Sequence, residues 1–254
     1  MLLLVLFPMQ LDTKLIYTYK TGLHHIPEPI TTHQIILIYR ECIINNNKFH
    51  KSKMYTTSDC VHLFEDIVDE IEIIDETYDV FFQDDLKFYV LQNETAPFTI
   101  IDGDIILDNK LITTNEDVVY EKLIKDNPND DYFLKMRQYL IDYNIESHLP
   151  YWKNYDCTYN LGIVHVNDIS FVSGFIKEYT KLKDWYIKTI ESVNSNLKNN
   201  VVIEMATCTY FLSMYLMLNN KSIGILNNTN SFTHYSGLNQ KLELLKKIGK
   251  HNLI

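Results

Sequence analysis

Two aspartates one residue apart, Asp102 and Asp104, follow the apolar and β-branched run Phe98-Thr99-Ile100-Ile101. That run suits a short strand covered on both faces. Carboxylates this close repel each other unless a cation or hydrogen-bond donors compensate them. A divalent metal does so economically, because Mg²⁺ and Mn²⁺ prefer oxygen ligands and commonly share them with substrate phosphates. Gly103 sets no side chain between the two acids, so the backbone there can approach a ligand closely. An Asp-x-Asp also fits a solvated acidic turn. Its position beyond an apolar run, in an alternating α/β chain, favours the functional reading.

Other chemistry-bearing residues are scattered later in the chain. Glu204 lies near the start of a helix expected from Asn199 or Asn200, where an acid also complements the helix dipole. Tyr151 and Trp152 sit in an aromatic loop and could stack on a sugar or lie in the core. His234 precedes a basic C-terminal stretch. Asp84, Asp85 and Asp108 read as solvated caps or turns. His24 and His25 are adjacent, and adjacent residues on an extended chain point apart, so they read as loop.

The elements that must position these residues are readable in outline. Lys14–Tyr19 alternates as a first core strand, and Lys20–Pro29 is a loop. Thr31 or Thr32 caps a helix to about Asn45, although Gln34–Tyr39 is apolar enough to be argued as strand. Strands are expected at Lys53–Thr57 and Ile71–Ile74, with a helix from Ser58-Asp59 to about Glu70 between them. Another helix begins at Asp84 or Asp85, then comes the acidic strand. The second half holds a strand at Glu116–Glu121, a helix from Asn129, one strand over Tyr159–Val166, a long helix capped by Asp168, the helix carrying Glu204, and a short strand over Lys221–Leu226. Strands alternating with helices predict a sheet with crossover helices, which binds ligands beyond the carboxyl ends of its strands.

Composition bounds the rest. With 254 residues, 46% hydrophobic and 22% charged, the chain is globular, and no internal repeat or linker divides it. Its net charge of −10, without a dense Lys/Arg stripe, gives no nucleic-acid-binding surface. Scarce glycine with abundant Asn, Ile, Lys and Tyr points to an AT-rich bacterial or viral genome. Cys42, Cys60, Cys157 and Cys208 form no C-x-x-C pair and read as reduced, buried thiols of a cytoplasmic protein. Residues 1–13 form an apolar N-terminal extension, too short to span a bilayer and without a basic region or cleavage site; no transmembrane segment is expected. Residues 14–241 form one domain, and 242–254 a basic C-terminal tail.

Three segments, in order, resemble the GT-A glycosyltransferases of the glycogenin and lipopolysaccharide galactosyltransferase type. They are Pro97-Phe98-Thr99-Ile100-Ile101-Asp102-Gly103-Asp104, Tyr159-Asn160-Leu161-Gly162-Ile163 and His234-Tyr235-Ser236-Gly237. Small bacterial and phage proteins share the Pro-Phe-x-x-x-Asp-x-Asp strand. Lys241 follows Gly237 after three intervening residues, where the glycogenin-like pattern has two, and no Pro-Trp follows it.

The resemblance implies a single-domain α/β fold with a GT-A-like, Rossmann-type mixed sheet flanked by helices. It implies an enzyme that moves a sugar from a nucleoside-diphosphate donor, a UDP-sugar first among them, to a glycan, protein or other acceptor. Asp102, Asp104 and His234 would hold Mn²⁺ (or Mg²⁺). Tyr17, Tyr19, Ile101, Asp102, Gly103, Asp104, Asn160, Gly162, Gly237 and Lys241 would line the donor site, with the tyrosines near the base and Lys241 near the phosphates. Asn160 and Glu204 would serve catalysis, and Tyr151 and Trp152 the acceptor. The glycogenin-like layout implies retention, while Glu204 as a base leaves inversion open. Two other readings stand beside it: an inert GT-A-like binding module, and a haloacid-dehalogenase-like phosphatase, whose nucleophilic aspartate usually lies on the first core strand.

Overall fold

The computed structural model describes residues 13–21, 29–78, 80, 82, 84–125, 157–193, 210–226 and 231–251. Tyr151, Trp152, Glu204, the helix expected from Asn129 and residues 1–12 of the N-terminal extension lie outside the described residues.

The first strand explains the layering. In β1 (Leu15–Tyr19) every residue is buried. Leu15, Tyr17 and Tyr19 join one apolar cluster and Ile16 the other, because successive side chains leave a strand on opposite faces. Such a strand must lie inside a sheet covered on both sides. It does: the seven strands run in the order β10-β6-β9-β4-β1-β2-β3, formed by Ile223–Ile225, Val118–Tyr120, Ile163–Val166, Phe98–Ile101, Leu15–Tyr19, Ser52–Thr56 and Glu70–Ile73. All pairings are parallel except those of β9, which runs antiparallel to both β4 and β6. The expected mixed α/β sheet is thus present.

Helices cover both faces. On one side Leu86 and Phe88 of α2 (Asp85–Asn93), Phe175 and Tyr179 of α3 (Val172–Val193) and Leu212 and Leu216 of α4 (Tyr210–Leu218) pack on Ile16, Ile100 and Tyr120. On the other, Ile35, Ile38 and Tyr39 of α1 (Thr32–Asn46) and Leu244 and Ile248 of α5 (Leu238–His251) pack on Tyr17, Ile101 and Ile163. Thr31 makes a full capping box with Gln34, which settles the Gln34–Tyr39 stretch as helix.

Three expectations change. The helix from Ser58 is a 3₁₀ segment, Ser58–Leu63. Arg40 donates to the Leu63 carbonyl at 2.6 Å and clasps Asp66, removing an acceptor that a continuing helix would use. The strand expected over Tyr159–Val166 is broken into β8 (Cys157–Tyr159) and β9 by Asn160, whose side chain accepts from the Gly162 N–H at 2.6 Å and turns the chain. The boundary at 241/242 falls inside α5, whose Lys241, Leu244 and Ile248 face inward while Lys246 and Lys247 face solvent. That amphipathic spacing makes a packed helix of the expected tail.

Candidate functional site

The site forms where three chain directions meet one sheet edge. β4 and β6 end there. β9 begins there, because it runs the opposite way. Asp102 N–H donates to Gly162 O and Glu121 N–H donates to Ile163 O, both at 2.8 Å, so the start of β9 joins the two strand ends. Beyond β4 the chain turns through Gly103 into β5 (Ile105–Leu107), which pairs antiparallel with β11 (Phe232–His234). The register sets His234 opposite Ile105, and Tyr235 N–H donates to Asp104 O at 2.9 Å. β5 is itself pinned by Asn46 of α1, which donates to Ile105 O and accepts from Leu107 N–H.

Asp102, Asp104 and His234 each present one ligand atom within 4.8 Å of the others, and among the described residues no other such group of His, Cys or acidic side chains occurs. His234 Nε2 lies 3.3 Å from Asp104 Oδ1 and 4.0 Å from Asp102 Oδ2. All three side chains keep some access to solvent, at 23% for Asp102, 15% for Asp104 and 11% for His234.

Two lysines brace the acids. Lys87, buried in α2, donates to Asp102 Oδ1 at 2.8 Å, Asp84 Oδ1 at 3.2 Å and Leu161 O at 3.0 Å. Lys241 pairs with Asp104 Oδ2 and donates to Tyr235 O at 2.6 Å. On the far side of His234, Glu121 takes its Nδ1–H at 3.0 Å.

The electrostatics are uneven. Burial raises the Asp104 pKa, but the His234 and Lys241 contacts outweigh it and hold the carboxyl down at about 2. Burial would lower His234, but Asp104, Glu121 and the Asp102 charge lift it to about 10. Asp102 goes the other way: burial and the Asp104 charge raise it further than Lys87 and His234 pull it down. Two carboxylate oxygens and an imidazole nitrogen are a donor set suited to a divalent ion of the Mn²⁺ kind. The residues present fit such an ion.

The other expected donor-site residues divide into two groups. Gly162 belongs to the site: a Cβ there would lie 2.2 Å from Glu121 Oε2 and 2.8 Å from His234 Cε1. Asn160 shapes the turn before it. Gly237 opens α5, its N–H donating to Gln240 Oε1 at 3.0 Å, and so sets Lys241 one turn later. In contrast, Tyr17 is wholly buried with its hydroxyl accepting from Asn46, Tyr19 packs edge-on against Tyr39 and Phe64, and the Ile101 side chain lies in the core. The side chains of all three are taken up by the core, because a strand covered on both faces packs every side chain into one layer or the other. Gly103 also has a different reason. A Cβ there would stand 2.1 Å from the Tyr39 ring, so the glycine makes room for that ring.

Sequence reasoning missed Lys87 and Glu121. The signal for Glu121 was a carboxylate ending the expected Glu116–Glu121 strand, at the same sheet edge as Asp102. Lys87 stands between two core residues, three positions after Asp84. Asp84 and Asp85 are not solvated turns: Asp84 pairs with Lys87, and buried Asp85 accepts from Tyr179 Oη at 2.6 Å and Phe82 N–H at 2.8 Å. Asp108 is exposed as expected, bonded to Ser231. Cys42 and Cys60 are free and buried.

No protein-family model matches the sequence, and no curated protein matches it. Among solved structures, similar chains include the PaToxG glycosyltransferase, at 10% identity and TM-score 0.43, covering 82% of this chain and 69% of that one. The glycosyltransferase GlyE of Streptococcus pneumoniae TIGR4 is similar at 13% identity and TM-score 0.40, over 85% of this chain and 45% of that one. HddC from Yersinia pseudotuberculosis is similar at 7% identity and TM-score 0.47, over 93% and 99%. This chain spans less than half the length of GlyE. These likenesses are loose in shape and remote in sequence, and what the chain does is read from its own side chains. Among the described residues, no helix is long and apolar enough to cross a membrane.

Proposed function

We propose that this chain is a metal-dependent glycosyltransferase that moves a sugar from a nucleoside-diphosphate donor, a UDP-sugar first among them, to a glycan, protein or other acceptor. The observation that carries this reading is the convergence of Asp102, Asp104 and His234 at the carboxyl edge of a mixed α/β sheet, within 4.8 Å of one another. Ligands of open α/β sheets lie at that edge.

Asp104 and His234 would hold the ion, and Asp102 would bind the ion or the ribose hydroxyls. Bound there, a divalent ion, Mn²⁺ before Mg²⁺ because of the imidazole, would supply Lewis-acid positive charge for a departing diphosphate. The chain's own groups do the rest. Lys87 keeps the Asp102 carboxylate in place from the buried side. Lys241 brings an ammonium to the Asp104 side of the site, where it can donate to a phosphate oxygen. Gly162 leaves room for the Glu121 and His234 side chains beneath the site, with Asn160 fixing the turn that carries it. The sugar is transferred with retention, as the glycogenin-like layout implies. A cytoplasmic setting agrees with free Cys42 and Cys60.

The test is a thermal-shift screen with UDP-, GDP-, CMP- and dTDP-sugars, each with and without Mn²⁺. A ligand at about a hundred times its dissociation constant adds about 2.7 kcal/mol, which for a chain of this size is a rise of about 5–10 °C. The shift should need nucleotide and Mn²⁺ together and vanish in Asp104→Ala. An inert module is the second reading, favoured by the lysine pairs already closed on both aspartates. It predicts no shift with any donor.

A further inference from the structure

Glu121 is a buried carboxylate that the proposed chemistry does not yet use. Its side chain is 1% exposed, one residue past the end of β6, which lies between β10 and β9 in the sheet. Its backbone N–H is fixed by Ile163 O at 2.8 Å. One carboxylate oxygen faces Lys122 at 3.3 Å, and the other stands 3.0 Å from His234 Nδ1. These two residues are 113 positions apart in the chain. Gly162 makes the meeting possible, since any side chain there would enter the space that Glu121 and His234 share.

We propose that Glu121 is the positioning residue for His234 as a metal ligand. By accepting the Nδ1–H it fixes the tautomer in which Nε2 carries the lone pair, and it turns that nitrogen toward Asp102 and Asp104. An imidazole ligand has two nitrogens, and the hydrogen bond at one decides what the other offers. A carboxylate behind a ligating histidine orients the ring and strengthens it as a donor. The imidazole rides on the three-residue strand β11, and the Glu121 bond fixes its ring plane on that side. The inference rests on the metal-dependent reading above and adds to it a residue outside the ligand set.

The test uses Mn²⁺ alone, titrated into the full chain, with free Mn²⁺ followed by electron paramagnetic resonance. Pulsed measurements on the bound ion report coupling to a ligating nitrogen. In the wild type that coupling is present, and it is absent in His234→Ala. In Glu121→Gln, with His234 still in place, Mn²⁺ affinity falls by about 10- to 100-fold and the nitrogen coupling weakens or disappears. Glu121→Asp, which keeps the carboxylate, recovers part of both. The double variant Glu121→Gln/His234→Ala binds Mn²⁺ no more weakly than His234→Ala, because the two residues act as one unit. Wild-type affinity and coupling in Glu121→Gln overturn the proposal, as does a double variant clearly weaker than His234→Ala. A wild-type chain that binds no Mn²⁺ overturns the metal-dependent reading, and the positioning role with it. Should Glu121→Gln not fold, by its thermal melt, Glu121→Met decides, since it fills the same space without an acceptor: wild-type Mn²⁺ affinity and nitrogen coupling there overturn the proposal.

Discussion

Two glycines near the aspartates have opposite jobs, and a single methyl group separates them. At Gly103 the added Cβ meets the Tyr39 ring at 2.1 Å, inside the core. Overpacking of this kind costs about 1–3 kcal/mol. At Gly162 the added Cβ meets Glu121 Oε2 at 2.2 Å and His234 Cε1 at 2.8 Å, at the partly exposed site. Gly103→Ala should therefore lower the unfolding free energy read from urea denaturation by that amount, with Mn²⁺ affinity of the folded fraction reduced less than in Gly162→Ala. Gly162→Ala should lower Mn²⁺ affinity about 10- to 100-fold, the scale for disturbing a ligand's support, with a smaller loss of stability. Denaturation and Mn²⁺ titration of both variants check the pair; equal profiles for the two would mean that the glycines share one role.

At the level of elements, the central strand β9 carries a buried polar device. His165 lies between Thr99 and Asn167: the Thr99 hydroxyl donates to Nδ1 at 2.9 Å, and Nε2–H donates to Asn167 Oδ1 at 3.0 Å. Asn167 gives its own amide hydrogens to Thr114 O and Glu116 O, which fixes its oxygen as the acceptor. The ring is thus held neutral, and burial pushes its pKa below 6.5, the Asn167 bond offsetting only part of this. The folded state therefore binds fewer protons than the unfolded chain below pH 6.5. The stability that a neutral ring contributes is complete above that pH and is lost as the pH falls toward the folded-state value. Urea denaturation at pH 7.5 and 5 should show a smaller acid loss for His165→Gln than for the wild type. An equal loss would assign the acid sensitivity to other groups. How legible such elements were depended on the range of the interactions that define them. β1 and β4 declared themselves through alternation and an apolar run, both local, while α1 had its Thr31 or Thr32 cap but stayed arguable as strand over Gln34–Tyr39. β11 did not, because three residues carry no period and the strand exists only through β5, more than a hundred positions earlier. Asn160 likewise read as strand, since only its side-chain bond to Gly162 shows the break. The Asp-x-Asp and His234 were found by type and order. Glu121 and Lys87 were not, because their meaning comes from neighbours that the sheet alone brings near.

At the scale of the whole molecule, the proposed metal site ties two distant parts of the chain. Asp102 and Asp104 belong to the β4–β5 turn, while His234 and Lys241 arrive on β11 and α5, 137 positions from Asp104 in the case of Lys241. Among the described residues, few backbone bonds close this seam: the three-residue β5–β11 ladder, Asp108 N–H to Ser231 O, and Tyr235 N–H to Asp104 O. The β1–β2–β3 side of the sheet has its own longer ladders and no ligand from the site. Segments held by few bonds open at lower free energy than the core and exchange their amide hydrogens faster. A cation that binds only the closed arrangement lowers the open population in proportion to its occupancy. Hydrogen exchange with and without Mn²⁺ should therefore slow in peptides covering 102–108 and 231–241, by about a hundredfold at a hundred times the dissociation constant. Peptides covering Ser52–Thr56 and Glu70–Ile73 should not change, and Asp104→Ala should show no protection anywhere. Protection spread evenly over the sheet would mean that Mn²⁺ acts on global unfolding. Protection near residue 102 without any at 231–241 would remove His234 from the ligand set, and with it the reason for the last strand to lie against β5.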